Sequence, residues 1–86
     1  MHVELFYTEG CGKCASAREE LKSIAQRAIP DVVWREVDLV QELDYAVELG
    51  VLSVPAIAIN RKLVFSSLPT PSQLVKALQQ CKDQEP

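Results

Sequence analysis

Residues 3–14 read VELFYTEGCGKC, and this stretch decides the fold. Residues 2–7, HVELFY, alternate and carry β-favouring types, which predicts a strand. Cys11 and Cys14 follow, with only Gly12 and Lys13 between them. Behind them Ala17, Leu21, Ile24, Ala25 and Ala28 recur at steps of three and four, with Arg18, Glu19, Lys22 and Gln26 assigned to the other side. That period predicts a helix over 12–28, ended by Pro30-Asp31. The cysteine pair therefore sits where a strand hands over to a helix.

This placement has chemical consequences. A helix N-terminus presents unpaired N–H groups and a partial positive charge, and both favour a thiolate over a thiol. A free cysteine titrates near ~8.5, whereas examples of Cys-X-X-Cys pairs fall between about 3.5 and 7. A depressed value is expected for Cys11, with Lys13 as an electrostatic aid. Gly12 lets a partner approach closely. Cys14 lies one turn on and less exposed, and residues three apart on a helix are neighbours. The two sulfurs can therefore bond, which suits Cys11 as nucleophile and Cys14 as resolving thiol in disulfide exchange. The competing reading is half of a zinc site. Structural zinc usually takes four ligands, and only Cys81 and His2 remain, neither at ligand spacing; no metal is expected.

The rest of the chain supplies a frame for that pair. Residues 32–37, VVWREV, predict a second strand. Asp38 stands three residues before Gln41, a capping-box spacing that predicts a helix over 39–49 with Val40, Leu43, Ala46 and Val47 as its buried stripe. Gly50 gives the stop. Residues 54–59, VPAIAI, read as a third strand buried on both faces, and Asn60-Arg61 as a tight turn into a fourth at 62–66. Thr70-Pro71-Ser72-Gln73 is a helix start. The helix runs to about 81, with Leu74, Val75, Leu78 and Cys81 on one face, so Cys81 reads as a core thiol. Trp34 reads as a packing residue, His2 as solvated, and the tail KDQEP as frayed. The order βαβαββα predicts an α/β fold: a four-stranded mixed sheet flanked by three helices, in one domain over 1–86. Its first two strands are parallel with a right-handed crossover, its last two a hairpin.

Composition excludes several classes. The chain has 86 residues, 48% of them hydrophobic and 24% charged, with a net charge of −3. Without a Lys/Arg run to neutralise phosphates, nucleic acid is not an expected partner. The longest apolar run, about five residues, falls far short of a membrane span. The opening MHVELFYT has no basic or apolar leader pattern. Two clustered cysteines and a distant third fit a reducing compartment rather than a stapled secreted scaffold, so a cytoplasmic monomer is expected.

On VELFYTEGCGKC, SVPAIAIN at 53–60 and FSSLPTPSQLVKAL at 65–78, the chain resembles the thioredoxin-fold superfamily. It is most similar to its small glutaredoxin-like thioredoxins, over essentially its whole length. The resemblance implies a thioredoxin fold, a thiol–disulfide oxidoreductase that reduces protein disulfides, and no cofactor of its own. A thioredoxin-reductase-like flavoprotein would recharge it. It implies a cis peptide at Pro55, a position the family uses for substrate contact and to keep metal off the cysteines. Beside it, Val54 is expected to offer its backbone to an extended partner segment, with Gly12 and Tyr7, at the active loop, as further substrate contacts. The alternatives are a glutathione-coupled glutaredoxin and a non-catalytic metal-binding or interaction module. The sequence departs from the family at several positions. Gly10 replaces the usual Trp before the first cysteine and Lys13 the usual Pro before the second, and Leu5 stands where many members carry a buried aspartate. Ser67 replaces a common glycine. Ser66-Ser67, with no acidic residue before Asp83, lacks the Gly-Gly and Asp that glutaredoxins use for glutathione.

Overall fold

The sheet is built around its first strand. In the computed structural model, which describes residues 1–83 apart from the side chain of Lys13, β1 (His2–Tyr7) and α1 (Gly12–Ala28) come first. They are followed by β2 (Val33–Asp38), α2 (Leu43–Leu49), β3 (Ala56–Ile59), β4 (Lys62–Phe65) and α3 (Pro71–Asp83). The strands form one four-stranded sheet in the order β2-β1-β3-β4. β1 pairs with β2 in parallel, placing Leu5 beside Glu36 and Tyr7 beside Asp38. β3 runs antiparallel to β1, with Ala56 opposite Phe6. β4 folds back on β3 with one extra residue near Val64. The turn between them holds Asn60 and Arg61 at φ 51° and 65°, the left-handed pair a type I′ hairpin requires. The predicted α/β architecture and its element order stand.

Alternation along the strands separates two cores. Val3, Leu5, Ile57 and Ile59 point to one face, where they bury Ala17, Leu21 and Ala25 of α1 and Leu74 and Leu78 of α3. Phe6, Val37, Ala56 and Ala58 point to the other, against Ala46 of α2 and Val51. β3 is buried at every position, as a strand covered on both sides must be. α3 begins with a reciprocal cap: the Gln73 N–H donates to Thr70 Oγ1 at 3.1 Å and the Thr70 N–H to Gln73 Oε1 at 2.9 Å. That pairing satisfies two donors the helix start would otherwise leave open. No helix among the described residues is long and apolar enough to cross a membrane.

Three local expectations are corrected. α2 starts at Leu43, not 39. Asp38 does accept from the Val40 and Gln41 N–H groups, at 2.9 and 3.3 Å, but it closes a turn rather than a helix. Val40, Leu43 and Val47 are 73%, 54% and 66% exposed. Ala46 is buried as expected, and Leu39, Tyr45 and Leu49 join it against the core in place of the other three. The smallest of them, Ala46, lets the helix settle close to the sheet, while Tyr45 reaches a polar partner under it. Cys81 is half-buried at the rim of the α1–α3 core and not sealed within it. Finally, α3 continues through Lys82 and Asp83; the rest of the tail expected to fray, residues 84–86, lies outside the described residues.

Candidate active site

Cys11 is the N-cap of α1. Its backbone is extended (φ −81°, ψ 103°), and its Sγ accepts the Cys14 N–H at 3.2 Å. This is the position at which Ser or Asp usually caps; here sulfur takes the orphan donor. The loop before it is set by Gly10 at φ +82°, a left-handed conformation that side chains resist. The Cys11 N–H closes the loop on the Thr8 carbonyl at 3.2 Å. The conformational demand thus falls on Gly10, where the family usually has Trp. A Cβ at Gly12 would meet nothing, so Gly12 serves by being exposed rather than by fitting a tight space. The first turn of α1 carries no acidic side chain, leaving its positive end unopposed.

Cys11 and Cys14 are joined in a disulfide with their Cα atoms 5.3 Å apart, inside the usual range for such a bond. Their surroundings differ. Cys11 is half-exposed, while Cys14 is 1% exposed and belongs to the core. One sulfur is open to a partner and the other is not.

Pro55 is buried and its peptide bond with Val54 is cis. It precedes Ala56, which pairs with Phe6, so continuing that register sets Pro55 level with Tyr7, at the end of the sheet from which the cysteine loop leaves. Val54 is half-buried beside the α2 core. Tyr7 is half-buried, its ring capped by the Arg18 guanidinium 4.3 Å from the centroid. Lys13 lies in the first turn of α1, and its side chain falls outside the described residues. Among the described residues no three His, Cys, Asp or Glu side chains gather in a metal-holding group.

The family model described as thioredoxin domain matches residues 1–79. The chain belongs to the thioredoxin-domain family. With the Cys11–Cys14 disulfide, this makes it a dithiol–disulfide oxidoreductase. It is 32% identical over 77 residues to a thioredoxin of Methanocaldococcus jannaschii, covering 88% of this chain and 89% of that one. Thioredoxin 1 of Thermosipho africanus superposes with a TM-score of 0.79 at 18% identity, over 96% of both chains; this likeness concerns the fold. A structure of a ferredoxin:thioredoxin reductase and thioredoxin f2 complex matches with a TM-score of 0.73 at 25% identity, over 94% of this chain and 76% of the other.

Sequence reading missed two features of this thioredoxin-domain chain. Arg18, assigned to solvent, instead reaches the sheet. Its Nε and Nη2 donate to Glu36 Oε1 at 3.1 and 2.8 Å, and Trp34 Nε1 donates to Glu36 Oε2 at 3.2 Å. Trp34 packs as expected, but its indole N–H also serves this network. Burial alone would push the Glu36 carboxyl up, yet the hydrogen bonds from Arg18 and Trp34 outweigh it and hold the group below the usual carboxylate range. The second feature is Glu4, 5% exposed on the α2 face. It accepts from the Tyr45 hydroxyl and, at 3.0 Å, from Arg35. Glu4 shares its face with Phe6, two residues along β1; the partners that make its burial tolerable come from β2 and α2 and leave no mark in sequence spacing.

Proposed function

We propose that Cys11 is the attacking sulfur and Cys14 the resolving one, in an enzyme that reduces disulfides of other proteins. The unequal exposure of the two sulfurs carries this assignment: Cys11 is half-exposed, Cys14 1%. The Cys11 thiolate attacks a partner disulfide, forming a mixed disulfide and releasing one partner thiolate, which takes up a proton. Cys14 then loses its proton and attacks the Cys11 sulfur. The Cys11–Cys14 bond forms, the bond to the partner breaks, and the second partner thiol leaves. Two electrons pass from enzyme to partner. An extended partner segment would lie along Val54 and Pro55 as an added strand, meeting Gly12 and the Tyr7 edge.

A dedicated reductase recharges the pair, and we assign it to the flavoprotein thioredoxin-reductase class. The likeness to a complex of a reductase with a thioredoxin supports a protein donor. The absence of a Gly-Gly after Phe65, and of any acidic residue between Phe65 and Asp83, argues for that donor over glutathione. The free thiol of Cys81 beside a single clustered pair fits a reducing compartment, the cytoplasm, in which the 86-residue chain acts as one monomeric domain.

The test is a trap. Cys14→Ser, incubated with disulfide-bearing proteins, accumulates mixed disulfides on Cys11, while Cys11→Ser accumulates none. Trapping on Cys14 alone reverses the roles. Turnover with a flavin thioredoxin reductase is expected to exceed turnover with glutathione. Turnover with glutathione only would make the protein a glutaredoxin.

A further inference from the structure

The network of Tyr7, Arg18, Glu36 and Trp34 lies on the same side of the sheet as the cysteines, and thiol exchange as described uses none of it but the Tyr7 edge. Arg18 stands four residues beyond Cys14 on α1, so the two rise from the same flank of the helix. Long helical side chains lean back toward the N-terminus, here toward the cysteine pair. The ring that Arg18 covers at 4.3 Å belongs to Tyr7, the last residue of β1 before the cysteine loop. Both guanidinium contacts to Glu36, at 3.1 and 2.8 Å, hold it in place, and Glu36 is itself held by Trp34 at 3.2 Å. Glu36 stands in register beside Leu5, an apolar residue with 0% exposure.

We propose that Arg18 and Glu36 act as positioning residues that set how readily Cys14 gives up its proton, with Arg18 as the cation on the cysteine side and Glu36 as its anchor. This rests on Cys14 being the resolving thiol. Before that sulfur can attack, it must become a thiolate. A nearby guanidinium favours that form and a carboxylate disfavours it. Cys14 is 1% exposed, where water screens neighbouring charges least. The two halves of the couple therefore act with opposite signs. The other groups near the couple are Tyr7 from β1, Asp38 beside it two residues beyond Glu36 on β2, and, along α1, Lys22, whose charge also acts on Glu36. Glu9 lies exposed in the loop.

Opposite signs give a test that packing alone does not mimic. Cys14 is titrated by its thiolate ultraviolet absorbance, and by its alkylation rate, in a Cys11→Ser, Cys81→Ala background. Arg18→Gln is expected to raise the Cys14 midpoint by on the order of half a pKa unit, about threefold less thiolate below the midpoint. Glu36→Gln is expected to lower it by a similar amount, because the carboxylate charge is lost while the amide oxygen still accepts from Arg18. Arg18→Lys, which keeps the charge, stays near the parent value. Shifts in the same direction for both Gln variants, or no shift in either, overturn the proposal, as does a Lys variant that behaves like Gln. The readout does not depend on the trap: opposite shifts with trapping only on Cys14 support the couple and refute the assigned roles, and the reverse pattern refutes the couple.

Discussion

The two faces of the sheet handle charge in contrasting ways. Each carries an arginine–glutamate pair with an aromatic ring against the arginine. On the α1 face the pair, Arg18 and Glu36, sits at the edge, with side chains 35% and 28% exposed, and the core beside it is wholly apolar. On the α2 face the glutamate is inside. The Glu4 side chain is 7% exposed, held by Arg35 and by the Tyr45 hydroxyl, and Arg61 and Arg35 flank the Tyr45 ring at 5.3 and 5.8 Å. The difference follows from what covers each face. α1 and α3 are long enough to lay a continuous apolar surface over β1 and β3. α2 has only seven residues and buries little, so a satisfied polar cluster fills the space beside it. The face that carries the cysteine pair thus keeps its charges at the rim, outside its apolar core.

The largest expected effect comes from making the faces alike. Leu5→Asp puts a carboxylate with no partner into the α1 core and is expected to cost about 3 kcal/mol or more of stability. Denaturant unfolding reads it. A variant as stable as the parent would mean that the α1 face accepts buried charge as the α2 face does. A smaller loss is expected from Arg35→Met, which leaves Glu4 buried with Tyr45 alone: about 2 kcal/mol in the same measurement, with the redox activity of the cysteine pair unchanged. Loss of activity in the folded variant would show that the two faces are coupled.

The smallest effect is a pH dependence confined to the α2 face. Burial, then the hydrogen bond to Glu4, pushes the Tyr45 phenol up to about 12. A phenol in an unfolded chain titrates near ~10. The folded state therefore keeps a proton that the unfolded state loses. The stability this group contributes is complete below about 10 and is lost as pH rises toward about 12. Unfolding followed across that window should show the decline, and Tyr45→Phe should flatten it. An unchanged slope in the Phe variant would place the alkaline loss elsewhere.

Legibility in the sequence followed the range of the interaction. The Cys11–Cys14 spacing, the Thr70–Gln73 cap and the Asn60–Arg61 turn involve residues within four of each other, and local geometry fixed them. α1 was readable from Gly12 to Ala28 because its period ran through seventeen residues and marked which side is buried. α2 was misread because Asp38 offered a cap that serves a turn equally well. A seven-residue helix also carries too few apolar positions to distinguish one stripe from its neighbour. Arg18 was misplaced for a related reason. A charged residue at the margin of an apolar stripe reads as solvated, and only the parallel neighbour of Leu5 supplied the carboxylate that draws it in.

By itself the sequence determined the order of elements, the α/β sheet and the strand-to-helix seat of the cysteine pair, since each depends on periodicity or on contacts close along the chain. Tertiary structure alone decided which face of α2 turns inward and which arginine joins which glutamate. Those outcomes depend on strands and helices brought together from far along the chain, as Glu4 and Tyr45 are, forty-one residues apart. There the energy of satisfying a buried carboxylate or closing an apolar surface outweighs any local preference.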